Sequence, residues 1–163
     1  MTAEILPLET LATRLGPRAQ LVGLDLGTKT IGVAVSDAGR GIASPLTTLR
    51  RGRKFTPDAL ALLELMKGRE IGGWIVGLPV EMSGREGPGA DSARAFARNF
   101  SRLTEAPIAL QDERLTTVAA ERALLEADTS RRRRAEVIDH VAAALILQAA
   151  LDRLAVLARE ADA

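Results

Sequence analysis

Three carboxylates in this chain stand where packing alone would not put them: Asp25, Glu113 and Asp139. Asp25 lies near the end of the apolar run Leu21 to Leu26, which a short turn joins to a second apolar run ending at Val35. Burying an unpaired charge in such a strand costs roughly several kcal/mol. In strand phase Asp25 shares a face with Leu21 and Gly23, while Val22, Leu24 and Leu26 point the other way. Gly23 is expected to leave open space beside the carboxylate, inviting close approach by a metal ion or a phosphate. Glu113 ends the run Ile108-Ala109-Leu110-Gln111-Asp112, and Asp139 lies in a long apolar helix with Ala142, Ala143 and Ile146 on its own face.

Each acid alone is equally compatible with a hydrogen-bonded core group. Taken together they suggest more, because like charges in a low-dielectric site either take up protons or hold cations. Oxygen ligands suit Mg²⁺ or Mn²⁺. Two such ions about 4 Å apart would activate a water and stabilise the leaving oxygen of a phosphodiester. Spacing does not bring the three acids together; a fold has to.

The elements that would do so follow from periodicity and turn residues. Strands are expected at 21–26, 30–36 and 43–49, an antiparallel meander with Gly-rich turns. A helix over 56–68 carries Leu60, Leu63 and Met66 on one face, and Ile71 to Gly77 reads as a buried strand. Leu78 to Ala90, with Gly84, Gly87, Gly89, Pro79 and Pro88, reads as a mobile loop. Asp91 or Ser92 caps a helix to about 104 that turns Ala93, Phe96, Phe100 and Leu103 to the core. A strand over Pro107 to Glu113, a helix over 116–126 and a helix over 133–157 complete the order βββαβαβαα, a mixed α/β sheet covered by helices. Residues 1–19 read as an extension with a short amphipathic helix on Leu8, Leu11 and Leu15, residues 20–157 as the one domain, and 158–163 as a tail.

The chain has 163 residues and a net charge of +1, so the informative feature is how its cations cluster. Arg50, Arg51, Arg53 and Lys54 form one group and Arg131 to Arg134 another, while Arg94, Arg98 and Arg102 make a helical stripe. Such clusters can neutralise nucleic-acid phosphates or can be solvated faces. An apolar fraction of 47% with only 2% aromatic residues implies a core of Leu, Val, Ile and Ala. The absence of cysteine excludes disulfides and thiolate metal sites and fits a reducing cytoplasm. No run is expected to be long enough to span a bilayer, and the N-terminus does not resemble a signal peptide.

Two other phosphate chemistries fall away. In Gly27-Thr28-Lys29-Thr30 a threonine separates Gly from Lys, whereas a P-loop needs them adjacent. The strand–turn–strand also resembles the phosphate hairpin of sugar kinases and actin-like ATPases, but those need two such domains. His140 adjoins Asp139, yet one helical step is about 100° onto another face, which favours a supporting role over metal ligation.

Four motifs in order carry a family resemblance. Asp25-Leu26-Gly27-Thr28-Lys29-Thr30-Ile31-Gly32-Val33-Ala34, Gly77-Leu78-Pro79 with Met82-Ser83-Gly84, Asp112-Glu113-Arg114-Leu115-Thr116-Thr117, and Ile138-Asp139 with Ala142-Ala143 and Ile146-Leu147-Gln148 resemble the YqgF family. These bacterial proteins are similar to RuvC Holliday junction resolvases and are described as pre-16S rRNA nucleases. The resemblance covers about residues 20 to 152. It implies a ribonuclease H-like fold, a five-stranded mixed sheet with three antiparallel strands first, in which acids from strands and the last helix meet at one end. By motif match Asp25, Glu113 and Asp139 would be catalytic and metal-holding, Asp25 bridging two Mg²⁺ or Mn²⁺ ions with Glu113 and Asp139 on one each. Where family members carry Lys-rich segments before the last acid, this chain has Arg131 to Arg134, which keeps the charge.

Lys29 and Arg114 become candidate phosphate contacts, and Ser83 and Arg85 backbone contacts from a loop that closes over a strand. Arg94, Arg98, Arg102, Arg131 and Arg132 complete the candidate nucleic-acid surface. The resemblance implies processing of the 5′ end of pre-16S rRNA. Branched DNA is the alternative substrate, and a non-catalytic ribosome- or RNA-binding factor is the alternative of another class. With Trp74 and the three Phe residues expected in the core, binding would rest on phosphate contacts and shape.

Overall fold

The run from Gln20 to Ser36 doubles back because a Gly-containing turn separates two stretches of apolar, β-branched-rich sequence. In the computed structural model, which describes residues 2–115 and 131–162 (without the side chains of 115 and 131–138), these stretches are β1 (Gln20–Leu26) and β2 (Thr30–Ser36). They pair antiparallel with Asp25 opposite Gly32. β3 (Ala43–Arg50) adds antiparallel to β2 as an edge strand, where Pro45 beside a register shift removes no needed ladder bond. β4 (Ile71–Leu78) lies parallel to β1, and β5 (Ile108–Asp112) parallel to β4. The five-stranded order is β3-β2-β1-β4-β5, a mixed sheet whose first three strands are antiparallel.

Strand alternation sorts the core into two layers. On one face Val22, Leu24, Ile31, Val33, Trp74 and Val76 pack against α2 (Phe55–Leu65) and α3 (Pro88–Phe100). Trp74 meets Phe100 edge-on at 4.8 Å and donates its indole N–H to Thr104 Oγ1 at 3.1 Å, so it is fully committed to structure. On the other face Leu21, Ala34, Ile75 and Ala109 pack against α1 (Leu8–Ala12) and the long α4 (Arg131–Ala161). Residues 2–19 join this body directly, since Leu11 is fully buried and Glu4 and Leu6 bond the backbone of Ile108.

Several expectations are corrected. α2 buries Ala59 and Leu62, with Met66 buried just past its end, while Leu60 is 54% exposed; Leu63 is half-buried on the core side. α3 begins at Pro88, which pre-sets helical φ in the first turn, and Leu103 lies beyond it, exposed. Glu113 opens a 3₁₀ turn (Glu113–Leu115) instead of ending β5. The helix expected over 116–126 lies outside the described residues. By length and apolar composition, Asp139–Ala161 could cross a membrane, against the expectation. In this structure α4 instead covers β1, β2 and β3, with Ala143, Ile146, Leu147 and Ala150 buried against the sheet.

Candidate active site

The decisive geometry is how closely α4 approaches the sheet. A Cβ on Gly32 would overlap the Asp139 carbonyl and lie 2.9 Å from the His140 nitrogen. A Cβ on Gly23 would lie 2.7 Å from Leu147 Cβ and 2.8 Å from the Ala143 carbonyl oxygen. Gly23 therefore does not leave a void beside Asp25, as the sequence suggests; it is a landing point for α4. Missing side chains let a helix backbone settle on strand backbones, and that approach sets Asp139 over Gly32.

Because antiparallel partners point to one side, Asp25 and Gly32 share the face that α4 covers. Asp25 is 3% exposed there and is not without a partner. Gly77 follows Val76, the β4 neighbour of Leu24, so it stands beside Asp25 on that face. Glu113 Oε1 lies 2.8 Å from where a Cβ on Gly77 would be. On the opposite flank Thr48 pairs with Gly32 and its hydroxyl meets His140 Nδ1 at 2.9 Å. A row thus crosses the sheet at the carboxyl ends of its parallel strands: Thr48 under His140, Gly32 under Asp139, Asp25, then Gly77 under Glu113. His140 is turned to β3, consistent with a supporting role.

Thr30, which sequence reasoning did not single out, donates its hydroxyl to Asp139 Oδ2. No local signal marks it, because its partner is 109 residues away. The donor set suits a hard divalent cation in kind, three carboxylates on one sheet face. Among the described residues, no three acid or histidine side chains are already gathered closely enough to hold an ion, and Asp139 is engaged by Thr30.

The expected phosphate contacts have varied placements. Lys29 is exposed in the β1–β2 turn. Arg114 forms a fork on Asp112, with Nη2 at 2.7 Å and Nε at 3.1 Å from Oδ2; that guanidinium holds the Asp112 carboxyl below the usual carboxylate range. Ser83 and Arg85 are exposed in a tight turn, not an irregular loop: Val80 bridges Glu86, Gly84 donates to the Glu81 carbonyl at 2.8 Å, and Gly84 takes φ 93°, a conformation glycine supplies without strain. Arg94 pairs with Glu86 at 2.6 Å, and its hydrogen bond lowers the Glu86 carboxyl. Arg94 and Arg98 lie on α3 and Arg102 past its end, so the expected stripe runs off the helix; α3 packs on the sheet face opposite the acids. Arg131 and Arg132 open α4; their side chains lie outside the described set.

A five-stranded mixed sheet with its last helix laid across the acid-bearing face defines a ribonuclease H-like fold of the RuvC kind. RuvC of Thermus thermophilus, solved in complex with a Holliday junction substrate, superposes with a TM-score of 0.54 at 13% identity, covering 84% of this chain and 96% of that one. Residues 19–153 match the RuvX family, described as Holliday junction resolvase. A Ruegeria pomeroyi relative named "Putative pre-16S rRNA nuclease" is 65% identical over 146 residues, 90% of this chain and 94% of its own. A Paracoccus denitrificans relative of the same name is 64% identical over 151 residues, 93% of this chain and 95% of its own. The chain belongs to the RuvX family.

Proposed function

We propose that this protein is an endonuclease that uses Mg²⁺ or Mn²⁺ to cut phosphodiester bonds at the 5′ end of pre-16S rRNA, working in the cytoplasm where that precursor is made. The observation that carries the reading is the row in which Asp139 lies over Gly32, Asp25 is the strand partner of Gly32, and Glu113 lies over Gly77, three acids along one sheet face. The names carried by relatives at about two-thirds identity support the RNA substrate.

Asp25, Glu113 and Asp139 would hold the ion, which when bound supplies an activated water and charge opposite the leaving oxygen. Asp25, central in the row and rigid in β1, would serve as the common ligand. Thr30 keeps the Asp139 carboxylate oriented at the site before an ion arrives. Lys29 would contact a flanking phosphate, and Arg114 could offer its fork to another by exchanging Asp112 for it. Ser83 and Arg85 present a donor and a cation from the turn above β4.

Branched DNA is the second reading, favoured by the description of the family itself. The deciding assay titrates Mg²⁺ and Mn²⁺ against an RNA spanning the mature 5′ end and against a four-way DNA junction, with wild type and Asp25→Asn. Metal-dependent RNA cleavage that Asp25→Asn abolishes, with the fold intact by circular dichroism, is the expected result. Equal cleavage by Asp25→Asn would mean the acids are misassigned. Cleavage of the junction alone would move the substrate to DNA. RNA binding without cleavage, unchanged by the substitution, would make the protein a binding factor.

A further inference from the structure

The β1–β2 turn and the exit of β3 are fastened into one unit by Arg51. Its backbone N–H donates to the Lys29 carbonyl at 2.8 Å, and its guanidinium Nη1 donates to the Gly27 carbonyl at 2.7 Å. Below that, Asp58 Oδ1 accepts the Gly52 N–H at 2.9 Å and anchors the chain as it enters α2. A half-buried arginine thus satisfies turn carbonyls, and the cations around it are left facing solvent.

Those cations are Lys29, Arg50, Arg53 and Lys54, all exposed and none in an ion pair among the described residues. Arg94 and Arg114, by contrast, are each held by a carboxylate. Placement is the second point. Arg50 pairs with Thr30 across the ladder, so it shares the face on which Thr30 reaches Asp139. Lys29 is four residues from Asp25 in the same hairpin. β3 lies two strand spacings from β1, about 10 Å, a span of a few nucleotides at most.

We propose that Lys29 and Arg50 form a phosphate-binding lip beside the acid row, continued by Arg53 and Lys54 as the chain turns away into α2, which holds the backbone of the RNA strand flanking the cut, with Arg51 as the staple that builds it. The proposal rests on the nuclease reading above and adds where the substrate enters. Four cations beside a single acid, Asp58, which accepts the Gly52 N–H, give a net electropositive edge, and the lip reads charge and spacing rather than sequence. The β2–β3 side of the site, not the α3 stripe, is then the main path of the strand.

The test measures binding by fluorescence anisotropy of the full chain, without divalent metal, to a labelled 20-nucleotide single-stranded RNA and to a four-way DNA junction across a salt series. Arg50→Gln/Arg53→Gln/Lys54→Gln is compared with wild type and with Arg98→Gln/Arg102→Gln on the opposite face. The lip variant is expected to bind the RNA on the order of 10- to 100-fold more weakly at low salt. Its log–log salt slope should be shallower by about 2, since each lost phosphate contact on a single strand removes roughly 0.7. The α3 variant should match wild type. An unchanged lip variant, or the loss appearing in the α3 variant instead, overturns the lip while leaving the nuclease reading standing. Loss of affinity for the junction alone assigns the lip to DNA and overturns the RNA path. Wild type that binds neither probe at low salt overturns both readings together.

Discussion

Thr30 donates its hydroxyl to the Asp139 carboxylate and so ties the β1–β2 hairpin to the helix that carries the last acid. The contact spans the two ends of the domain in sequence, and it gives a half-buried carboxylate a donor in the protein. Thr30→Val keeps the shape and removes that donor. Leaving the acid short of a partner costs about 1–3 kcal/mol, readable as a lower midpoint in thermal or urea unfolding. Mn²⁺ should raise the melting temperature of Thr30→Val more than that of wild type, because a cation would replace a missing partner. An equal rise in both would show that Thr30 and the ion do not share Asp139.

Gly32→Ala should be among the most damaging single-methyl additions in the protein. The new carbon meets the backbone of Asp139, and a helix main chain cannot step aside as a side chain does. Overpacking of this kind costs about 1–3 kcal/mol and occasionally more. Gly41→Ala is the control, with nothing within 4 Å of its added carbon. Chemical denaturation of both variants checks the contrast.

Arg51→Ala should loosen the turn without touching an acid. One of its two carbonyl partners is lost: the Gly27 bond goes, while the backbone bond to Lys29 stays. A charge-assisted bond of this kind contributes about 1.5–3 kcal/mol. Faster amide exchange at residues 27–30 would register the release, and RNA affinity should fall with it. Unchanged exchange would mean the turn holds its shape without the staple.

The Asp112–Arg114 fork has a pH signature. Arg114 lowers the Asp112 carboxyl, so the charged form is favoured by folding. Stability from this pair is therefore present above the ordinary carboxylate pKa and is lost as pH falls through the lowered folded value. The pair is partly exposed, so the amount is under about 1 kcal/mol. Asp112→Asn should flatten the acid limb of a melting-temperature profile and leave the neutral region nearly unchanged. A limb as steep as wild type would remove Asp112 from the pair's account.

Much of the strand layout was legible because period-two alternation and Gly-rich turns are local properties. β1, β2 and β3 fall within a residue of their expected bounds at every end, and Val22, Leu24 and Leu21 divide between faces as strand phase requires. Helix faces were read less well. Leu60 was expected inside and Leu62 carries the contact instead, since adjacent apolar residues leave the stripe ambiguous until a sheet selects one. Arg94 and Arg98 ride α3 while Arg102 lies past its end, and their periodicity does not encode which layer α3 joins.

The acids divide along the same line. Residue types and the misfit of Asp25, Glu113 and Asp139 with packing were properties of the sequence, as were the apolar alternation and the glycines. The meaning of those glycines was not. Gly23 suggested an opening for a ligand, yet it receives Leu147 and Ala143, and Gly32 receives Asp139 itself. Only tertiary packing could decide this, because an absent side chain is the same signal whether an ion or a helix fills the space. Residue type and local periodicity fix which groups could do chemistry and on which elements they ride. The structure decided that α4 lies against β1 and β2 closely enough to set Asp139 over Gly32, the strand partner of Asp25, through contacts more than 100 residues apart that no local pattern records.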